Sequence, residues 1–533
     1  MSEERRKLAW RWSAVAVVLI AAVLRLYALT WGLPNAVHAY SYHPDEFLPV
    51  GSAFNIYSKG DLNPHFYNYP SLYIYICALA QGLASMLGFA NDFGIYAACR
   101  IVTAVMSVLA VAVCLYGCGK LCGRKAGIAG GLFLAILAVH AQHSHFATVD
   151  VPSTFFVAGC LITAMFSFKT GNIKWLILSG ILAGLAGGTK YNAGLVCLSA
   201  AAAPLLCALE LSIVKRLGKS ALVFVCAAIA FVISTPGCLL YTSEFMNGLT
   251  YELKHSAHGH GLVFAGTGSG ILFALHNLAW GMGLPLLIVG IVSIIYATIT
   301  KRKESIILLA FLIPYMILMS TSQVRFVRYA IPALPCFAIF TALAFSACQN
   351  ISISYQRIIG ILSGLVAAGS LIYCIAIIAL FVPPDTRDSS RDFIVANASK
   401  SDSIGFIELP WFYSPPLGKM FGYGTTDTRR KAISESTYPI TVLNEMPLND
   451  PLPIWVVISD YEIDDALRLR GAAGMHPEDV TERDKILSVY DLVKQKYSEE
   501  KTFDRQVLWF DSSQLPHDMH YTAPRIRLYR LKK

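Results

Sequence analysis

The 533-residue chain is a series of apolar blocks separated by short polar loops. Blocks that predict membrane-spanning helices lie near 8–30, 97–118, 126–142, 152–168, 174–189, 193–212, 220–240, 272–299, 305–320, 331–348 and 358–382. A helix needs roughly 20 apolar residues to cross the hydrocarbon core, and several of these blocks sit near the short limit. A further block, 71–88, decides the topology. If it lies in the interface, the basic residues of the loops around Lys120, Lys169, Lys215, Lys301 and Arg357 all share the side of the N-terminus. If it crosses, every one of those clusters moves to the opposite side, against the tendency of basic loops to stay cytoplasmic. The pattern therefore predicts about eleven spans plus juxtamembrane helices, with the N-terminus cytoplasmic and the C-terminus extracytoplasmic.

After Pro383-Pro384 the apolar runs shorten and charges become frequent. Helices are predicted near 392–400, 460–470 and 482–496, and strands near 403–409, 454–459, 506–510 and 525–531. The fold class is an α-helical polytopic membrane protein, residues 1–382, followed by a small extracytoplasmic α/β domain, residues 383–533. That domain shows no nucleophile elbow, phosphate-binding glycine loop or metal-ligand spacing.

Composition sharpens this picture. The chain is 55% hydrophobic and 14% charged, and its net charge of +9 is scattered over loops, which excludes a nucleic-acid-binding stripe. All 13 cysteines fall between Cys77 and Cys374, mostly within apolar blocks, where they act as small hydrophobes. The N-terminal basic residues Arg5, Arg6, Lys7 and Arg11 precede an apolar run that contains Arg25. That run is too long for a signal-peptide core and is read as an uncleaved anchor.

Polar residues at the predicted outer face carry the chemistry. Tyr42-His43-Pro44-Asp45-Glu46 places two adjacent carboxylates beside lipid. Helix capping accounts for one acid there, not two, and intramembrane acids are costly unless they function. Asp45 is the candidate general base, and Glu46 would orient the acceptor or bind a cation. Asp150 precedes Val151-Pro152, which suits a helix N-cap as well as a catalytic acid. Lys190 interrupts two apolar blocks. Arg325 and Arg328 lie on the side where basic residues are scarce, and Arg100 opens a span. These four cations are candidates for binding a donor phosphate. His43, Tyr69 and Tyr329 are candidate acceptor or orienting groups. His143, His145 and His258 are a candidate set for a divalent metal, although no fixed ligand spacing supports it; no other cofactor is indicated.

Outside the cytoplasm there is no nucleotide sugar to consume, so a transferase there needs a lipid-carried donor. A polyprenyl phosphate offers its phosphate at the interface, where cations can hold it and a carboxylate can take the acceptor proton. The stretches His43-Pro44-Asp45-Glu46, Tyr69-Pro70-Ser71-Leu72, Ala98-Cys99-Arg100, Asp150 before Val-Pro, Gly187-Gly188-Thr189-Lys190 and Arg328-Tyr329-Ala330-Ile331-Pro332 occur in order on one side. In this the chain resembles the GT-C superfamily of polyprenyl-phosphate-dependent glycosyltransferases. The likeness extends to protein O-mannosyltransferases, the bacterial lipid A aminoarabinose transferase and Rgt-type lipopolysaccharide core transferases, and covers about the first 385 residues. The resemblance implies a cell-membrane glycosyltransferase of protein O-glycosylation or lipopolysaccharide modification. Its base would be Asp45 and its second acid Asp150, and its partners a polyprenyl-phosphate-linked hexose or pentose, membrane lipid, and an acceptor glycan, lipid or protein. The competing readings are a flippase for a lipid-linked glycan and a polymerase or ligase of surface glycans. A transporter would place its polar residues near the bilayer midplane rather than at one face.

Overall fold

The computed structural model describes residues 3–207, 211–349, 351–447 and 450–532. Among these, seven helical stretches are long and apolar enough to cross a membrane: Lys7–Leu26, Asp92–Cys122, Asp150–Thr170, Ile213–Ser234, Arg302–Thr321, Val327–Cys348 and Ile353–Asn397. The protein is a multi-pass membrane protein. Three shorter apolar helices, Leu72–Met86, Ile173–Thr189 and Tyr191–Leu206, accompany the seven. The block 71–88 forms the 15-residue helix Leu72–Met86, about 22 Å long, which packs on Phe47–Lys59 and on the start of Asp92–Cys122. It is too short to span the core by itself.

Four of the eleven predicted spans are not among the seven: the block 174–189 is the 17-residue helix Ile173–Thr189, and the other three are broken, each for a local reason. The block 272–299 is two helices, Gly270–Met282 and Leu284–Thr300, meeting at a 116° bend. Gly283 makes the bend, with φ +77°, and a Cβ there would lie 3.2 Å from the Tyr373 ring. The block 126–142 divides into Arg124–Ala135 and Ala138–His143. The carbonyls freed at that break accept hydrogen bonds from the buried Arg25 guanidinium, Ala135 O at 2.8 Å and Leu134 O at 3.1 Å. Arg25 also donates to Ser107 Oγ at 2.6 Å. The arginine inside the first span is thus the partner of a broken helix, because backbone groups in a bilayer must be satisfied internally. The block 193–212 begins as a 3₁₀ turn, Tyr191–Val196, continues as Cys197–Leu206, and ends partly outside the described residues.

The C-terminal part builds a five-stranded mixed sheet in the order Ile440–Val442, Ile404–Phe406, Trp455–Ser459, Ile526–Leu531, Tyr497–Phe503. The first three strands are parallel and the last two pairings antiparallel. Trp455–Ser459 is buried throughout, as its unbroken apolar run requires. Trp455 and Val457 pack with Ile394 and Phe406, whereas Val456 and Ile458 pack with Ile463 and Ile486. The strand expected near 506–510 is a small hairpin, Gln506–Val507 with Phe510–Asp511. The sheet edge Tyr497–Phe503 carries Glu499, Glu500 and Lys501 and is mostly exposed, so it lacks the apolar run that marks an interior strand.

The sheet is seated on the helices. Val507, Phe510, Leu515, Met519 and Ala523 belong to the same apolar core as the membrane helices. Gln142 donates to Met519 O at 2.7 Å, and Trp31 to Asp385 at 3.0 Å. Arg387 binds Asp385 through two nitrogens and lies 4.2 Å over the Tyr42 ring. The first loop, which carries Asp45, is therefore held from above by the C-terminal part.

Candidate active site

Two cavities meet where the sheet covers the helical bundle. The first, about 350 Å³, is lined by Asp150, Lys190, Glu252, Arg328 and Tyr329 together with apolar residues such as Leu249, Leu253, Leu318 and Met319. The second, about 570 Å³, lies between Asp45 and the sheet and includes His255, Trp411, Tyr461 and Tyr521. Asn68, Tyr69, Glu252, Arg328 and Tyr329 line both, so the cavities adjoin.

Each polar wall residue is set by a local element. Asp45 stands just before the helix Phe47–Lys59, and its backbone N–H donates to His43 Nδ1 at 3.2 Å. No side chain caps that helix, so Asp45 is free of the capping role. Its carboxylate instead receives Arg328 Nη2 at 2.8 Å and remains 27% exposed to the cavity. Arg328 lies in the 3₁₀ turn Val327–Ala333. Asp518, from the C-terminal part, accepts the backbone N–H groups of Val327 at 3.0 Å and Arg328 at 2.9 Å. A carboxylate thus satisfies the open N-terminus of the turn that aims the guanidinium. Arg328 Nη1 is buried and has no partner within the protein.

Asp150 opens the helix Asp150–Thr170, and its carboxylate pairs with Lys190 rather than capping its own helix. Lys190 follows the helix Ile173–Thr189, whose Gly188 comes so close to Ser234 that a Cβ would overlap the hydroxyl. The Lys190 ammonium also lies 4.7 Å from the Tyr329 ring centre. Glu252, on the helix Thr242–His258, faces both cavities. Burial raises its pKa to about 7, against the opposing pull of Lys190 and Arg328. This residue was not among those singled out by sequence. The spacing Leu249, Glu252, Leu253, Ser256, all lining the first cavity, is the i, i+3, i+4, i+7 signal of one helix face.

Several predicted residues lie elsewhere. Glu46 is fully buried and is bound by Arg100 through Nε and Nη2, both at 2.8 Å. Ser41 and the backbone N–H of Ala147 complete its shell, while Arg100 also donates to the carbonyls of Leu29 and Trp31. The assignments of Glu46 to the acceptor and of Arg100 to the donor phosphate are therefore replaced by one structural ion pair. Arg325 is likewise outside the two cavities, bound to Thr267 Oγ1 at 2.8 Å and Gly268 O at 2.9 Å. His43 accepts the Asp45 backbone N–H and lines neither of these two cavities, and burial holds its imidazole pKa well below the usual range. Tyr69 and Tyr329 line both cavities.

The three histidines proposed as metal ligands do not converge. His145 is buried between the carbonyls of Ala141 and Tyr27, His143 lies 3.8 Å from Asp518, and His258 Nδ1 bonds Lys254 O at 2.8 Å. Among the described residues no group of three or more His, Cys, Asp or Glu side chains is placed to hold a metal ion.

Comparison with known proteins agrees with this architecture. The family model for dolichyl-phosphate-mannose-protein mannosyltransferase matches residues 73–239. No curated protein sequence matches the chain. Among solved structures, ArnT from Cupriavidus metallidurans bound to undecaprenyl phosphate aligns with a TM-score of 0.52 at 15% identity, covering 87% of this chain and 95% of that one. The apo form of the same protein aligns at 0.51 and 14% identity, covering 98% of both chains. The archaeal oligosaccharyltransferase AglB from Archaeoglobus fulgidus aligns at 0.48 and 14% identity, over 95% of this chain and 74% of that one. The apolar helical bundle, the short juxtamembrane helices and the C-terminal sheet over the polar face give this chain a fold similar to that of ArnT, and its residues 73–239 match the mannosyltransferase family model.

Proposed function

We propose that the protein is an integral-membrane glycosyltransferase that moves a sugar, a hexose or a pentose, from a polyprenyl-phosphate donor to a hydroxyl acceptor. The observation that carries this reading is the position of Arg328. One guanidinium nitrogen binds the Asp45 carboxylate while another, buried and unpartnered, sits in the wall common to both cavities. The first cavity combines apolar walls with Lys190 and Arg328, which suits a ligand that is hydrocarbon at one end and phosphate at the other. The second cavity receives the acceptor beside Asp45. The basic-loop asymmetry supports an extracytoplasmic site and a cytoplasmic N-terminus. The division near residue 383 is proposed as the boundary of the sheet-bearing domain.

The reaction follows from these positions. The acceptor oxygen attacks the anomeric carbon and its proton passes to Asp45. The bond from the anomeric carbon to the phosphate oxygen breaks, and its electron pair leaves with the polyprenyl phosphate. Arg328 and Lys190 stabilise the charge that gathers there. Asp150 positions Lys190. The ArnT structure is described as bound to undecaprenyl phosphate, the ligand class proposed here.

The test is transfer by the purified full-length protein in nanodiscs, supplied with radiolabelled polyprenyl-phosphate hexoses and pentoses and a membrane extract as acceptor source. Label should move to an acceptor in step with release of polyprenyl phosphate. If instead the donor is only translocated across vesicles with its sugar–phosphate bond intact, the protein is a flippase and the reading falls.

A further inference from the structure

The second cavity does not end beneath the sheet. It shares Glu408, Trp411, Tyr413 and Glu482 with a third cavity of about 680 Å³, the largest of the three and built wholly from C-terminal residues. Nothing in the proposed reaction uses this space. We propose that it is a distal acceptor subsite, binding an uncharged, hydroxyl-rich glycan chain of two or more residues whose reacting end lies beside Asp45. The proposal rests on the glycosyltransferase reading and names the class of its acceptor.

Three features of the wall support a sugar. The first is its mixture of groups. Trp411 lines the passage between the cavities and lies under the Arg429 guanidinium, 5.2 Å from its ring centre. An aromatic body with planar donors and acceptors around it suits a ligand with apolar C–H faces and equatorial hydroxyls. The second is unmet hydrogen-bonding capacity. Arg429 Nε and Asn444 Oδ1 are buried and have no partner within the protein, although both residues line the cavity. Buried polar atoms are normally paired, so a donor and an acceptor left open on one wall call for a ligand that supplies both, as a hydroxyl does. The third is the charge balance. The wall carries four carboxylates against three cations, and Arg430 is already paired with Glu445 at 2.8 Å. Such a wall offers no excess of positive charge to hold a phosphorylated or uronic-acid-rich chain. A peptide laid along a sheet edge would find only the three-residue strand Ile440–Val442 to pair with, which is too short for strand addition to dominate.

The nanodisc assay tests the proposal through the labelled product and through Asn444→Ala and Arg429→Met, the latter keeping the stem that packs on Trp411. The radiolabel should appear in a fraction that is released as a neutral oligosaccharide and resists protease. Both variants should raise the acceptor KM at least tenfold while kcat at saturating acceptor changes less than about threefold. Because a misfolded variant would lose donor binding as well, retention of undecaprenyl phosphate is measured in the same preparations. Label in a peptide or in an acidic glycan overturns the proposal, and so does an acceptor KM unchanged in both folded variants. Absence of turnover with every donor overturns the glycosyltransferase reading and this proposal with it, whereas turnover with the wrong product overturns the subsite alone.

Discussion

Asp45 and Glu46 are neighbours in the chain, each pairs with an arginine, and the two pairs have different roles. Glu46–Arg100 is fully buried, and hydroxyl, amide and carbonyl groups surround it until the carboxylate and guanidinium are saturated. Asp45–Arg328 keeps a part-exposed carboxylate and an unpartnered guanidinium nitrogen at a cavity wall. Two acids beside lipid therefore did not mean two catalytic acids. A buried pair with every lone pair occupied locks a loop, whereas a pair with spare capacity facing a cavity can bind and react.

The largest effect should come from the saturated pair. Removing one partner of a buried ion pair leaves an uncompensated charge and costs about 3–5 kcal/mol. Arg100→Met should therefore deplete folded, monodisperse protein after detergent extraction and lower its melting temperature sharply. Wild-type melting of Arg100→Met would show that the pair does not hold the first loop in place.

Asp45→Asn should do the opposite. The amide that replaces the carboxylate keeps an oxygen to accept from Arg328, and the position is part-exposed, so melting should fall far less than in Arg100→Met. Loss of a general base should lower transfer by roughly 10²–10⁴-fold. Near-normal transfer by Asp45→Asn together with abolished transfer by Asp150→Asn would move the base to Asp150.

The contrast also shows what a sequence reveals. Seven of the eleven predicted spans were legible because bilayer thickness imposes long apolar runs, and Asp45, Asp150, Lys190 and Arg328 because charge beside lipid is conspicuous. The two sheet strands Trp455–Ser459 and Ile526–Leu531 were legible from their apolar or alternating patterns. The 116° bend was not, because a single Gly283 in an apolar run is equally consistent with a straight helix. Nor was the role of Arg100, whose partner lies 54 positions away. Asp518 had no signal at all. It sits in an irregular segment between strands, and its work on the Arg328 backbone exists only once sheet and bundle are joined. Glu252 was obscured because it lies between the apolar blocks 220–240 and 272–299, outside every predicted helix, whereas residues 242–258 are helical.

A smaller effect is expected at the phosphate. Charge-assisted hydrogen bonds contribute about 1.5–3 kcal/mol, so Arg328→Ala should weaken undecaprenyl phosphate binding by roughly 10–100-fold. Arg328→Lys should fall between, because an ammonium restores charge but cannot serve Asp45 and a phosphate in one planar fork. Binding measured on purified protein would decide, and equal affinity in wild type and Arg328→Ala would remove Arg328 from the donor site.

The smallest effect, and the one that probes the shared wall most finely, concerns Glu252. Its raised pKa, about 7, means that the folded protein holds a proton that the unfolded chain releases near the ordinary glutamate range. Stability from this group is therefore lost as pH rises from about 4.5 through about 7, and Glu252→Gln should remove that slope. The same titration acts on the ligand. A neutral Glu252 can donate to a phosphate oxygen, whereas an ionised one repels it across the cavity that both line. Undecaprenyl phosphate should bind more tightly as pH falls from 8 to 6, by a few-fold beyond the change due to the phosphate's own ionisation, which Glu252→Gln reports directly. Above pH 7 the Gln variant should bind more tightly than wild type, and below it the two should converge. If the two proteins instead show parallel profiles from pH 6 to 8, Glu252 does not face the phosphate.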